Sequence, residues 1–320
     1  MPKQIVGFVA GYGDAKTNVE RIVRLEKAGV PAAWLTTGGV APDGLTTFAA
    51  AAARTEHIIL GSSITPIWPR HPIAVAQQVL ALASLAPGRF RLGLGNSNKA
   101  TVESGFGYSY VSPLAYMEEY VQIVKTLLGK GSVDFDGKHL RAHARLQGPP
   151  APDVPIMVAA LTSRSYEAYA RLADGLISWV CPPSYLRDKA LPAMKAGAQQ
   201  ANRAVPPLIA HVPVCVHPNI QEARAAAREQ LAIYPRVSTY QSMFKEAGFP
   251  EASQGAWSDA MLDAVVAMGT EEQVTKRLRE VLSYGAAEII AHPITAGPDK
   301  DASYQRAIDV VAAVNRLFAR

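Results

Sequence analysis

The sequence predicts an α/β protein built as a (β/α)8 TIM barrel, with a helical insertion before the last strand, and three observations predict it. Short apolar runs alternate strictly with helical patterns along all 320 residues. Eight such runs can be set out, each with a helix to match. Residues 58–95 alone spell a complete strand, loop, helix and strand with the punctuation of a parallel βαβ unit. An open doubly wound sheet is the competing arrangement of the same alternation.

Taken in order, strands are expected over 4–10, 33–36, 58–62, 90–94, 155–160, 175–180, 208–216 and 288–291. Helices are expected over 17–28, 45–54, 72–85, 113–128, 164–173, 185–202, 221–233 and 271–283, with a last one over 303–319. The third unit shows the reasoning. Ile58, Ile59 and Leu60 stop at Gly61-Ser62-Ser63, and Pro66, Pro69 and Pro72 punctuate a loop. Pro72 suits the first turn of a helix, where its missing N–H costs nothing. Pro87-Gly88 ends that helix, and Phe90, Leu92 and Leu94 run on into Gly95. Two stretches break the alternation. Residues 133–152 carry Asp-Gly, Pro-Pro and Ala-Pro turn signals that suit a small hairpin. Residues 235–268, with Tyr240, Phe244, Phe249 and Trp257, suit helices over the barrel mouth that form a substrate wall. The whole of 1–320 reads as one domain, a common size for such barrels.

Composition narrows the function. Hydrophobic residues make up 49%, ample for a large core. Cys181 and Cys215 form no disulfide framework and no CxxC motif, which points to a reducing compartment. The start, MPKQIVGF, lacks the pattern of a signal peptide, and no apolar stretch approaches bilayer length. A cytoplasmic protein with no membrane partner is expected. The net charge of +5 is dispersed over solvated helix faces without interleaved aromatics, so no nucleic-acid partner is expected, although the mild positive field favours an anionic cofactor or substrate.

The motifs then specify a family. Ser62-Ser63-Ile64-Thr65-Pro66, Arg70-His71-Pro72, and the Gly-Arg-Phe-x-Leu-Gly-x-Gly run from Gly88 to Gly95 follow one another at close spacing. Downstream come Gly107-Tyr108-Ser109-Tyr110, Glu119-Tyr120, Val133-Asp134-Phe135-Asp136-Gly137 and Ala159-Ala160-Leu161. In order and spacing this resembles the luciferase-like monooxygenase superfamily, in the branch that uses the deazaflavin coenzyme F420. The resemblance implies a homodimeric barrel enzyme. It also implies a non-proline cis peptide where the third strand ends, at Ser62–Ser63 or Ser63–Ile64, pressing on the back of the cofactor's tricyclic ring. Small residues at Ser62 and Ser63 allow that approach, and Thr65 would touch the ring or its ribityl chain.

Further site residues follow in chain order. Thr36 and Thr37, ahead of Gly38-Gly39, offer hydroxyls to the pyrimidine side of the ring, where many relatives carry Asp-His. His71 either caps the next helix or takes part in proton transfer, since imidazole titrates near neutral pH. Trp68 either stacks near a cofactor or seals the loop. Asn96, Ser97 and Asn98 face the mouth; relatives place an acid or histidine near Asn98, which cannot titrate but can hydrogen-bond the polar ring edge. The glycines of 93–98 do not form a dinucleotide fingerprint, because the third glycine position is Asn98 and the strand is the fourth. Ala159, Ala160, Thr162, Ser163 and Arg164 open a helix after an apolar strand. That start is either a Thr/Ser cap with a surface arginine or a cradle for the cofactor phosphate, and the resemblance favours the cradle.

Other chemistries are poorly supported. No His-x-His follows the first strand, where the chain has Ala10-Gly11-Tyr12-Gly13, and His139 and His143 lie in the turn-rich insertion, so no metal is expected. No GxSxG elbow is present. His211, His217 and His292 read as core or turn residues. The expected function is hydride transfer between reduced coenzyme F420 and a small organic substrate. The alternatives are an FMN-dependent monooxygenase and, in another class, a non-catalytic flavin-binding barrel.

Overall fold

Eight of the apolar runs become short parallel strands whose residues are mostly buried on both faces, as a sheet covered by helices outside and side chains inside requires. The computed structural model of the chain describes residues 4–11, 13–38, 41–151 and 153–318. Tyr12, Gly39, Pro152 and Ala319, and the start before Gln4, lie outside that set. The barrel strands are β1 (Ile5–Val9), β2 (Ala32–Leu35), β3 (Ile59–Ser62), β4 (Phe90–Gly95), β5 (Ile156–Ala159), β6 (Gly175–Trp179), β7 (Leu208–Val216) and β8 (Glu288–Pro293). Each pairs in parallel with the next, and β8 returns to β1 with Ile5 opposite Glu288 and Phe8 opposite Ala291. The sheet therefore closes, and the open doubly wound alternative is excluded.

The barrel is filled rather than hollow. Val9, Ala32, Trp34, Met157, Ile177, Ile209 and Ile290 form an inner cluster, separate from the larger core between strands and helices. Trp34 takes the most room. A Cβ placed on Gly7 would lie 2.6 Å from its Nε1, and one on Gly61 would lie 2.4 Å from its Cζ3. Those two glycines are the space the indole needs. At the opposite end from the strands' C-termini, Arg91 Nη1 meets Glu288 Oε2 at 2.5 Å. Burial pushes the Glu288 carboxyl up, and the Arg91 guanidinium opposes it.

Most helices match their expected spans, and the helix Pro72–Leu85 matches at both ends. The segment expected as one helix over 185–202 is instead a short helical turn, a π-type turn over Leu186–Ala190 and the helix Leu191–Gln200. The hairpin expected within 133–152 is present, pairing Ser132–Asp136 with Arg141–Arg145. Its turn is held by Glu119, whose carboxylate accepts the backbone N–H groups of Lys138, His139 and Leu140 at 2.8–2.9 Å. A Cβ on Gly137 would fall 2.3 Å from Glu119 Oε2, so the glycine makes way for the acid.

The 235–268 region departs from expectation in two ways. It holds helices over Ser238–Glu246 and Asp259–Val265, but ends in a short strand, Ala267–Gly269, that extends the sheet beside Val214–Val216. The helix Glu271–Ser283 then precedes β8. Only its start forms a wall of the mouth, through Val237, Ser238, Thr239 and Tyr240. Phe244 packs edge-on against Phe249 and Trp257 as part of the main core between strands and helices. Among the described residues no helix is long and apolar enough to cross a membrane.

Candidate functional site

A cavity of about 660 Å³ opens at the C-terminal ends of the strands, where loops rather than ladders determine which side chains face inward. Its first wall is built where β3 ends. Ser62 Oγ, buried, donates to Gly93 O and accepts from Gly93 N, both at 2.9 Å, stitching β3 to β4. The next peptide, Ser63–Ile64, is cis, the second of the two bonds considered. Three contacts from β2 and the residues after it fix this bulge. Ser63 N donates to Leu35 O at 2.8 Å, Thr36 Oγ1 donates to Ser63 O at 2.8 Å, and Thr37 N donates to Ile64 O at 3.2 Å. The Thr37 hydroxyl accepts from Gly44 N at 3.2 Å. Both threonines line the cavity, with their hydroxyls engaged in holding the bulge and the following helix.

Opposite lies β4. A Cβ on Gly95 would sit 2.4 Å from Ile64 Cγ1, so only glycine lets the bulge side chain lie there. Asn96, Ser97 and Asn98 follow and line the cavity. Asn96 Nδ2 donates to Tyr169 Oη at 2.9 Å, while Asn96 Oδ1 is buried without a partner. Ser63 Oγ and Thr65 Oγ1 are also buried and unpartnered. Asn98 Oδ1 accepts from Thr101 N at 2.9 Å and so starts the π-type turn Thr101–Gly105.

After β5, Ala159, Ala160 and Thr162 line the cavity. Thr162 caps the helix Ser163–Ala170 through a capping box with Ser165. Ser165 Oγ accepts from Leu161 N and Thr162 N at 3.1 and 3.0 Å. Tyr185 Oη donates to Leu161 O at 3.2 Å, and burial pushes the phenol up to about 12.

Some expected site residues stand elsewhere. Ser62 and Thr65 lie behind the lining, within the sheet. Ser163 and Arg164 begin a helix at the rim, with Arg164 exposed. His71 is exposed and outside the cavity: Nδ1 accepts from Ile73 N at 3.3 Å, capping the helix, and Nε2 meets Arg141 O at 3.1 Å. Of its two readings, capping describes its contacts. Trp68 stacks on Tyr116 at 4.1 Å between centroids and seals the loop.

Two residues read from sequence as core prove to be cavity residues. His211 on β7 and His292 on β8 both line it, with Nε2 of the first 3.3 Å from Nδ1 of the second. The indole of Trp179 lies 4.2 Å from the His211 ring and 4.8 Å from that of His292. Burial holds His211 well below the usual imidazole range and lowers His292 to about 4, so both are neutral at physiological pH. Sequence could offer only a histidine on each of two neighbouring apolar strands; the pairing of those strands is what brings the two rings together. Among the described residues, no group of three or more His, Cys, Asp or Glu is placed to hold a metal ion.

Comparison with known proteins agrees with this geometry. Residues 3–288 match the family model described as luciferase-like monooxygenase. An F420-dependent glucose-6-phosphate dehydrogenase of Nakamurella multipartita is 34% identical over 176 residues, covering 53% of this chain and 52% of that protein. The chain thus spans about half the length of the curated relatives heading the comparison. A 5,10-methylenetetrahydromethanopterin reductase of Methanolobus tindarius is 25% identical over 295 residues, covering 86% and 89% of the two chains. In fold, the chain superposes with a TM-score of 0.83 on an F420-dependent secondary alcohol dehydrogenase bound to an F420-acetone adduct, at 20% identity and 98% coverage of each.

Proposed function

This chain belongs to the luciferase-like monooxygenase family, and from that premise we propose that it is a coenzyme F420-dependent oxidoreductase acting on a small organic molecule. The observation that carries the reading is a polar pair beside a bare backbone. Ser63 and Asn96 line the cavity, and their Oγ and Oδ1 atoms are buried and unpartnered, next to Gly95, which presents no side chain of its own. Buried polar atoms left without partners want a ligand that supplies them. A flat heteroaromatic ring with N–H and carbonyl groups on its edge fits that combination. The naming of coenzyme F420 among the relatives supports the choice of cofactor.

When bound, the deazaflavin supplies or accepts hydride; the protein's part is placement and exclusion of water. The bulge over Ser63–Ile64 would back the ring. Asn96 Oδ1 would accept from it, with the amide oriented by Tyr169. Thr36 and Thr37 act one step behind, holding the bulge. The capping box engages the amides of Leu161, Thr162 and Ser165. This leaves the first-turn amides of Ser163 and Arg164, which a helix does not satisfy itself, and the Arg164 side chain for the cofactor phosphate at the rim. Ala159 and Ala160, which line the cavity between, leave room there with their small side chains. Asn98 hydrogen-bonds but carries no titrating proton.

The test is a direct titration of the purified protein with coenzyme F420 and with FMN at equal salt, followed by anaerobic reduction assays. Saturable F420 binding, with FMN much weaker, is expected. Tight FMN binding with no measurable F420 affinity would overturn the choice and make the protein a flavin monooxygenase.

A further inference from the structure

Resting on the oxidoreductase reading, we propose that His211, His292 and Trp179 form a subsite for an uncharged substrate, whose carbonyl or hydroxyl oxygen is hydrogen-bonded by imidazole, and that the cavity rejects anionic substrates. The argument begins with register. On the β6–β7 ladder His211 is opposite Trp179, and on the β7–β8 ladder it is opposite Ile290, which sets His292 one pleat nearer the mouth. Side chains two apart on a strand share a face, so both imidazoles and the indole project into the barrel at its open end. They are nearly enclosed, at 4% and 6% exposure for the two histidines, yet both border the cavity.

The surroundings are aromatic and uncharged. Tyr234 packs edge-on against Trp179 at 5.6 Å, and Tyr240 against Tyr234 at 5.0 Å, making a wall continuous with Ile233 and Val237. Among the described lining residues there is no arginine, aspartate or glutamate. The single ammonium, Lys99, follows β4, four strands from β8 around an eight-stranded barrel and so across the mouth from the imidazoles. An anion brought to this wall would lose its hydration with no cation to replace it. A neutral oxygen would lose little, and a neutral imidazole N–H could meet it. Each ring nitrogen is either a donor or an acceptor, so the pair serves a carbonyl by donating and a hydroxyl by accepting. The 3.3 Å contact between the rings ties the tautomer of one to that of the other. This neutral design separates the chain from any protein that must grip a phosphorylated sugar.

The test uses purified protein, with and without bound coenzyme F420, and three probes: cyclohexanone, cyclohexanecarboxylate and glucose 6-phosphate. Calorimetric binding should be seen for cyclohexanone and be absent or at least tenfold weaker for both anions. His211→Phe and His292→Phe should each weaken ketone binding about fivefold or more, the loss of one hydrogen bond. Since these residues also pack, His211→Gln and His292→Gln are measured alongside, and binding should recover in part. The side-chain nitrogen resonances of the two histidines, followed by long-range ¹H–¹⁵N NMR, should shift when the ketone is added, a response that a purely structural imidazole would not give. Equal or tighter binding of either anion, no ketone binding, or ketone binding that leaves those resonances and the Phe variants unaffected would each overturn the proposal. Imidazole-dependent ketone binding in a protein that takes up no F420 would retain this subsite and discard the cofactor reading.

Discussion

Thr36 Oγ1 donates a 2.8 Å hydrogen bond to Ser63 O, tying the end of β2 to the bulge that follows β3. Thr36→Val keeps the shape and removes the donor, leaving a carbonyl beside the cavity without it. The expected cost is about 1 kcal/mol of stability. With the bulge backing the ring as proposed, cofactor affinity should fall by a larger factor than stability does. A melting curve paired with an F420 titration checks both; unchanged affinity would place the bulge outside cofactor binding.

Gly93 and Gly95 should respond differently to alanine. A Cβ on Gly93 meets Ser62 O, a backbone atom, at 1.9 Å, whereas one on Gly95 meets the side chain of Ile64 at 2.4 Å. Backbone cannot step aside without breaking the ladder, so Gly93→Ala should be the more damaging, beyond the roughly 1–3 kcal/mol typical of overpacking. Gly95→Ala should be rescued by Ile64→Ala, which empties the contested space. Denaturant melts of the three variants decide it.

Arg164→Ala should weaken F420 binding by about 1.5–3 kcal/mol, the worth of a charge-assisted hydrogen bond. Arg164 is exposed, so the fold should be indifferent to the change. Affinity for a cofactor fragment lacking the phosphate should be the same in both proteins. Equal affinity of the variant for the intact cofactor would remove Arg164 from the site.

Acid should destabilise the protein through His292. Its ring takes up a proton near 6.5 when unfolded but only at about 4 when folded. Between those values the unfolded chain binds more protons, so stability falls as the pH drops from 7 towards 4 and changes little from this group below that. The full effect is on the order of 3 kcal/mol. His211, lowered by burial and by its neighbour, acts in the same direction. His292→Phe should flatten the pH dependence of the urea midpoint across this window; an unchanged slope would show that the group is not buried neutral.

The fold was largely legible because its signals are local. Pro72 and the Pro87-Gly88 pair mark the ends of one helix by chain geometry, and Val, Ile and Leu runs mark the strands. Ala267–Gly269 escaped because three residues carry no period. The role of Glu119 escaped because its partners lie 19 to 21 residues away and are backbone amides. The imidazole pair escaped for a subtler reason. All nine residues of β7 are buried, so no polar alternation tells the inward face from the outward one; only pairing with β6 and β8 does. His71 was singled out for its motif, but a cap and a catalytic base look alike until the partners are seen.

The indole that Gly7 and Gly61 make room for has a consequence for traffic. With Trp34 and its aliphatic neighbours plugging the interior, the vestibule has a closed floor. A molecule held in the cavity therefore cannot pass down through the barrel, and it enters and leaves on the side of the strands' C-terminal ends.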